Sequence, residues 1–457
     1  MDVSFMYHGF GLRTVECSRT EYKDNGIVLN VQTRDDKLCC PECKSKKIIR
    51  NGYSIRRFRC VPIGRKPVYI DMRVQRIKCR VCGCDQQERI PFTTGKRHTT
   101  HRLERLVVDL MKIMTISETA AYLGLSWSTV KDIHKNHLKH HYSSPDIRKV
   151  RFIGIDEFAV RKGHVYKTIV VDLETGHIIY VGDGKGADAL DAFFRRVKKY
   201  GVNIEYVATD LSAAFISAVR KNLPEAQLVF DHFHVKKIIN DKVDKLRRSL
   251  YHSKQYEEQR DVIKGIRWLL LRNGEDIKTD SAKKQLEEAL KINEPLAKAY
   301  YLKEKITLVW GQLDKTAARA WLYSWIREAI RSNVIQLIKA GLSMFKHREG
   351  ILAWYDKRIT TAMVEGINNK IKVMKREAYG FTDDRYFELR LLALHFCLPI
   401  VGKCLNGQFA ALYLLVDRWL DGAVGLGVAI QNIVHPRHKT VNVIGGHEGE
   451  GVGHLYL

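Results

Sequence analysis

The chain has 457 residues and a formal charge of +26, from 77 lysines and arginines against 51 acidic residues. That length implies two to four domains, and the basic excess selects a polyanionic partner, with nucleic acid ahead of anionic membrane. A spanning helix of roughly 20 apolar residues is excluded, because the stretch from Phe409 to Val416 stops at Asp417 and Arg418.

At the amino terminus, Met1-Asp-Val-Ser has neither the basic start nor the apolar core of a signal peptide, so a cytoplasmic location is expected. Ten cysteines in that compartment read as thiols and metal ligands rather than disulfides. Residues 1–100 form a basic module around two CxxC pairs. Cys40 with Cys43 and Cys79 with Cys82 can place four thiolates on one zinc ion. Cys39 and Cys84 adjoin the pairs and leave the ligand set open by a position, while Cys17, Cys60, Cys397 and Cys404 read as unpaired core or surface thiols. The 35 residues between the pairs exceed a compact ribbon, and Arg56–Arg59 and Pro67–Arg73 alternate like a basic hairpin. Between Lys44 and Arg80 there are 13 basic residues and one acid, Asp71. A charge run is usually a solvated face, but one this one-sided suits phosphate tracking, with Arg56, Arg57, Arg59, Arg65 and Lys66 as candidate contacts.

Residues 101–145 read as a helix-turn-helix. Leu103, Leu106, Val107, Leu110 and Met114 have helical spacing. A second helix from Ile116, a turn at Gly124 and a third helix capped by Ser126 follow. Leu123, Leu125, Val130 and Ile133 are the expected core, with Trp127, Ser128 and Lys131 facing the major groove. The alternative is an ordinary helical hairpin.

From 150 the texture becomes α/β. Strands are expected at Phe152–Ala159, Val165–Asp172, His177–Gly182, Ile204–Thr209 and Gln227–Phe230, with helices at Ala187–Tyr200 and Ser212–Leu223. That order is the one found in ribonuclease-H-like folds, where the first and fourth strands are neighbours, bringing Asp156 and Asp210 to one sheet end. Asp210 also fits a helix cap near Ser212. Asp172 and Asp183 read as turn residues, and Glu157 as a second choice on the opposite face of its strand. Asp231 and His234, in Asp231-His232-Phe233-His234, suit either a supporting role at a metal site or a structural pair. Residues 235–345 are helical throughout. The core resumes over 346–400 with a helix carrying Met363, Ile367, Ile371 and Met374 on one face and Glu365, Asn368, Asn369, Lys372 and Arg376 on the other, Lys370 beside them. Two strand-borne aspartates and a helix-borne glutamate can hold two Mg²⁺ or Mn²⁺ ions for in-line phosphodiester chemistry. Residues 401–457 read as a helical region and a glycine-rich flexible tail.

Taken together, the cysteine pairs, the helix-turn-helix, Gly154-Ile-Asp156-Glu-Phe158, Ala208-Thr-Asp210, Asp231-His232-Phe233-His234 and Val364-Glu365-Gly-Ile-Asn368-Asn369-Lys370 resemble DDE transposases of bacterial insertion sequences, most closely the ISL-three family, over residues 35–400. The resemblance implies a multidomain α/β protein: a zinc-ribbon-like module and helix-turn-helix, then a ribonuclease-H-like catalytic domain (150–234 and 346–400) interrupted by an all-helical insertion. It implies Asp156, Asp210 and Glu365 as the catalytic and Mg-binding triad, and Asp231, His234, Asn368 and Asn369 as supporting residues. It further implies a tryptophan of the insertion beside the cleavage point, with Trp310 the nearest candidate and Trp268, Trp321 and Trp325 also eligible. Lys370, Lys372 and Arg376 complete the expected DNA contacts. The expected partners are double-stranded DNA, as terminal inverted repeats and target, and a second copy in a homodimer or larger assembly at the nucleoid, with no membrane. A domesticated DNA-binding regulator and a structure-specific nuclease on the same fold are the rival readings; acids at all three positions weigh against the first.

Overall fold

Alternating apolar and polar residues build two separate five-stranded sheets, and apolar residues three and four apart build the helices around them. The computed structural model describes residues 3–394 apart from Asp24, Lys162, His164, Thr360 and Thr361. The expected C-terminal region at 401–457, with Cys397 and Cys404, lies outside the described residues.

The first sheet includes elements that the sequence pattern did not announce. Helix α1 (Val3–Phe10) and strands β1 (Val15–Lys23) and β2 (Gly26–Thr33) precede the long hairpin of β3 (Ile48–Ile63) and β4 (Lys66–Cys79). The order is β1-β2-β4-β3, β2 runs parallel to β4, and a short β5 (Asp85–Gln87) pairs with β4. Leu29, Val31, Phe58, Ile70 and Met72 form its core with Met6 and Phe10 of α1. The hairpin is longer and better supported than the expected insert because β2 covers the flank of β4.

Helices α2 (His101–Leu110), α3 (Ile116–Leu123) and α4 (Trp127–Tyr142) follow. Thr115 and Glu118 form a reciprocal capping box at α3, and Ser126 accepts the Thr129 amide at the start of α4. Leu103, Val107, Leu123, Val130 and Ile133 are buried together, with Leu125 packed against them. Arg59 of the hairpin donates to the Leu123 carbonyl at 2.9 Å, tying the first sheet to this unit.

The second sheet contains β6 (Phe152–Arg161), β7 (Val165–Asp172), β8 (Ile178–Asp183), β9 (Tyr206–Thr209) and β10 (Gln227–Phe230), in the order β10-β9-β6-β7-β8. Its first and fourth strands are therefore neighbours, and they are parallel. Helices α5 (Asp191–Tyr200) and α6 (Ala213–Asn222) supply Phe193, Phe194 and Phe215 to one core, shared with Ile153, Ile155 and Val170. The expected helix over Ala187–Tyr200 begins as a tight 3-10 turn at Ala187–Leu190.

Helix α7 (His232–Tyr251) leaves β10 directly and opens the insertion, which continues through α8 (Arg260–Gly265), α9 (Arg267–Leu271), α10 (Asp280–Ile292), α11 (Glu294–Ile306), α12 (Lys315–Arg331) and α13 (Ile335–Leu352). The last helix runs through the expected boundary at 345 and returns to the sheet. A β-carbon on Gly350 would stand 2.5 Å from the Phe230 ring, so α13 lies directly against the end of β10. Trp325 is fully buried and donates to the Leu302 carbonyl at 2.8 Å.

After α14 (Trp354–Lys357), helices α15 (Ala362–Glu377) and α16 (Asp384–Leu392) cover the opposite face of the second sheet. The buried stripe of α15 is Val364, Ile367, Ile371 and Met374; Met363, expected in it, is exposed. Lys167 of β7 is buried, and its ammonium meets Asp183 at 2.6 Å, Asp384 at 2.9 Å and Glu388 at 3.4 Å. Asp183 thus pairs with Lys167 within the sheet, a role beyond the turn residue read from the sequence, while the contacts of Lys167 with Asp384 and Glu388 pin α16 to the sheet. No helix among the described residues is long and apolar enough to cross a membrane.

Candidate functional site

Strand register brings the acids together. Ile155 of β6 pairs with Thr209 of β9, and Thr209 with Phe230 of β10. The next residue on each of these three parallel strands is an aspartate: Asp156, Asp210 and Asp231. Neighbouring strands lie about 4.8 Å apart, and the C-terminal edge of an open α/β sheet is where such folds bind ligands.

Asp156 is held at both oxygens: the Glu157 amide donates to Oδ1 at 2.8 Å and the Asn368 side-chain amide to Oδ2 at 2.7 Å. Burial pushes its carboxyl above the usual range, the Asp210 charge adds to the rise, and the Glu157 amide, His234 and Asn368 oppose it. The Glu157 carboxyl is raised too, by burial and then by Asp210, so this second-choice acid belongs to the same electrostatic group. Asp210 accepts the amide of Ser212, the residue before α6, at 3.0 Å; this is a turn leading into the helix rather than a cap on it, and it coexists with the place of Asp210 beside Asp156.

Glu365 is exposed near the start of α15. Three contacts fix its helix to β6. Val364 sits over Gly154, where a β-carbon would approach its Cγ2 to 2.6 Å, and Lys375 donates to the Ala159 carbonyl at 2.7 Å. Asn368, one turn beyond Glu365, makes the bond to Asp156. Glu365 therefore lies within a helical turn of the first aspartate's partner.

Among the described residues, two groups bring three or more possible ligand atoms all within 4.8 Å of one another: the four cysteines, and Asp183 with Asp384 and Glu388. The second group surrounds the Lys167 ammonium, which supplies its counter-charge. Asp156, Asp210 and Glu365 are not gathered so tightly. Their chemistry nonetheless fits divalent cations: all are hard oxygen donors, two stand side by side, and Asn368 Oδ1 is buried beside them with no hydrogen-bond partner among the described residues.

Asp231 is buried, caps α7 through the Phe233 amide and meets His232 Nδ1 at 2.7 Å. The sequence pairs it with His234; the structure shows His232 against Asp231, while His234 acts on Asp156. Trp310 stands 5.9 Å from the His232 ring, half-buried, its indole nitrogen without a partner among the described residues. Trp325 is removed from the DNA-contact candidates by its burial, and Trp321 is half-buried, donating to the Lys305 carbonyl; Trp268 is exposed.

Sulfur geometry is direct. Cys40 and Cys82 Sγ are 3.6 Å apart, and Cys43 and Cys79 Sγ 3.5 Å, close to the edge of about 3.8 Å expected for a tetrahedron with Zn–S bonds near 2.3 Å. Cys39 and Cys84 lie outside the group of four; the Cys84 carbonyl instead accepts the Cys79 amide.

The expected DNA contacts divide. Arg65 and Lys66 are exposed at the hairpin tip, and Trp127 and Ser128 at the start of α4. Lys370, Lys372 and Arg376 are exposed along α15, with Lys372 donating to Asn369 at 3.2 Å. Arg57 makes a two-pronged pair with Asp71, and Arg56 lies over the Phe58 ring. Two departures stand out. Arg59 is half-buried on Leu123 and Tyr69. Lys131 is bound to Asp383 at 2.8 Å, together with Lys135 at 2.7 Å. Against the effect of burial, these lysines hold the Asp383 carboxyl well below the usual range. Below them, burial pushes His134 down to about 3, so it stays neutral beside the Tyr386 hydroxyl at 2.7 Å.

Comparison with known proteins agrees segment by segment. Residues 153–391 match a family model described as transposase, of the DDE type of ISL3. Residues 88–138 match the helix-turn-helix domain of transposase family ISL3, and 36–82 the zinc-finger of transposase IS204/IS1001/IS1096/IS1165. The chain is 31% identical to the transposase for insertion sequence element IS1001 of Bordetella parapertussis over 85% of this chain and 95% of that one. It is 24% identical to the transposase for IS1557 of Mycobacterium tuberculosis, covering 78% and 85%. The Drosophila P element transposase strand transfer complex aligns at a TM-score of 0.35 and 10% identity, covering 64% of this chain and 91% of that one.

Proposed function

The chain belongs to the ISL3 family of transposases, and from that premise we propose that Asp156, Asp210 and Glu365 are the acids that cut and join the ends of its own insertion sequence. One observation carries this: the two aspartates follow paired residues on adjacent parallel strands, and the helix bearing Glu365 reaches Asp156 through Asn368.

The three carboxylates would hold two Mg²⁺ or Mn²⁺ ions, which would supply polarisation of the scissile phosphodiester and lower the charge cost of in-line displacement. Asn368 and the Glu157 amide keep Asp156 from rotating, and its partial burial keeps solvent from competing for it. Strand cleavage and strand transfer are then one displacement at phosphorus with different nucleophiles, first water and then the 3′-hydroxyl released by cleavage. Asp231 fixes the start of α7 and so the position of His234, while Asn369, Lys370, Lys372 and Arg376 offer an amide and cations to the phosphates that follow the scissile bond.

Recognition falls to the amino-terminal third. Cys40, Cys43, Cys79 and Cys82 hold one zinc ion, presenting Arg65 and Lys66 at the hairpin tip, and α4 presents Trp127 and Ser128 to the terminal inverted repeat. Trp310 stands on the flank of the cleavage point. Two ends must be joined to one target, so a homodimer or larger assembly working on the nucleoid is the functional unit.

The test is cleavage and joining of a labelled terminal-repeat duplex with Mg²⁺. Asp156→Ala, Asp210→Ala and Glu365→Gln should each abolish both reactions and retain duplex binding. Cleavage at the wild-type rate by any of them would remove that residue from the triad.

A further inference from the structure

Helix α15 does not end as helices usually do. Tyr379 donates its amide to the Arg376 carbonyl at 3.1 Å and Gly380 to the Lys375 carbonyl at 3.1 Å, the paired bonds of a Schellman closure. The residue that must turn left-handed in this closure is ordinarily glycine or asparagine; here it is Tyr379, at φ 49°. Its side chain is also fully exposed. A bulky aromatic in a strained backbone position, with no burial to compensate, is a sign of function rather than of packing.

Its surroundings say for what. Tyr379 lines a cleft of about 640 Å³ between the helix-turn-helix and the end of α15. Ile113, Trp127 and Lys131 line the near side; Arg376 and Arg390 line the far side with Tyr379. The acids there are engaged: Asp383 by Lys131 and Lys135, and Glu118 by the capping box of α3, with Glu377 left as an opposing charge. Glu365, Lys372 and Arg376 follow one another at helical spacing on the exposed side of α15. Eleven residues of helix span about 16 Å, the rise of about five base pairs at 3.4 Å each.

We propose that this cleft borders the path of the transposon-end DNA between the recognition helix and the catalytic acids, and that Tyr379 stacks on a nucleobase displaced from the duplex there. The proposal rests on the transposase reading and adds to it a site and a ligand class: an aromatic base, gripped beside its phosphates by Arg376. Stacking uses the ring and releases no counterions, which separates it from the phosphate contacts around it.

The experiment uses the full chain and a duplex carrying one terminal repeat of its own element. Tyr379→Ala and Tyr379→Gly should weaken binding about 5- to 100-fold, with the slope of log affinity against log salt unchanged, and Tyr379→Phe should bind like the wild type. Tyr379→Gly, which relieves the left-handed tyrosine, should melt no lower than the wild type, so lost binding cannot be lost folding. Undiminished binding by the alanine and glycine variants overturns the proposal. So does an equal loss in Tyr379→Phe, since the ring is then not the contact. A loss that tracks a DNA-free dimer becoming monomer assigns the residue to a second copy instead and likewise overturns it. Cleavage by Asp156→Ala in the same assay reports separately on the catalytic reading and leaves the Tyr379 result standing.

Discussion

Val364 rests where a side chain at position 154 would have to be: a β-carbon on Gly154 would come within 2.6 Å of its Cγ2 and within 3.0 Å of Leu173. The strand that carries Asp156 and the helix that carries Glu365 can approach each other because nothing projects from the sheet at that point. The glycine two residues before Asp156 therefore sets how closely the Asp156 strand and the Glu365 helix approach, although it offers no functional group.

Gly154→Ala should push α15 away from β6. Overpacking of this kind typically costs about 1–3 kcal/mol, and a shift of about 1 Å can reduce rate on the order of 100-fold. Terminal-repeat binding, to which the zinc module and helix-turn-helix also contribute, should fall less than the cleavage rate. Equal rates of cleavage for variant and wild type would show that the helix accommodates the methyl group without moving Glu365.

Asp156→Asn should stabilise the metal-free protein. The native carboxyl is raised, chiefly by burial, above an unfolded value of about 3.9, so ionising it costs native stability. The cost is absent below about pH 4, where both states are protonated, grows as pH rises through the raised native value, and is complete at neutral pH. Asn368 can turn its unpartnered Oδ1 toward the new amide. The Tm of the variant should exceed that of the wild type at pH 7 and match it near pH 3.5, while Mg²⁺-dependent cleavage disappears. A gap independent of pH would mean that ionisation is not its source.

Cys40→Ser or Cys79→Ser should release the zinc and unfold the hairpin base, because ligand-set energy is folding energy in such modules. Metal analysis should fall from one zinc per chain to none, with terminal-repeat binding lost. The second sheet has its own core, so far-UV dichroism should retain most of its helical signal.

Asp383→Asn tests the clamp on the recognition helix. Asparagine keeps the cap on α16, where Asp383 accepts the Tyr386 amide at 3.0 Å, but removes the charge that holds Lys131 and Lys135. Two freed lysines should tighten binding to random-sequence duplex and steepen its salt dependence by up to about two in log–log slope. Cleavage at the terminal repeat should fall, since the helix-turn-helix loses its fixed position against α16. An unchanged salt slope would place both lysines away from DNA even when released.

The sequence carried most of the second sheet because its strands alternate cleanly and its acids sit at strand ends. It carried the clustering of Cys40, Cys43, Cys79 and Cys82 because paired spacing limits the geometry. What it missed is long-range. Nothing near Lys131 predicts Asp383, some 250 residues away, so the recognition helix looked free. Asp231 took its neighbour His232 in place of His234 because it sits at the first turn of α7, where capping decides its direction. Val364 displaced Met363 from the buried stripe because one residue of helical phase is fixed by where Gly154 leaves room. The first helix and two strands went unread because β1 mixes charged residues through its alternation.

The contact between Gly350 and Phe230 has a further consequence. The helical excursion that begins at His232 comes back to the strand it left, so its departure and return points nearly coincide. Asp156 and Asp210 before it and Glu365 after it therefore do not register how large the excursion is. Such a junction lets evolution enlarge, trim or exchange the intervening helices, altering how the enzyme grips flanking DNA or a second protomer, without re-solving the placement of the residues that do the chemistry.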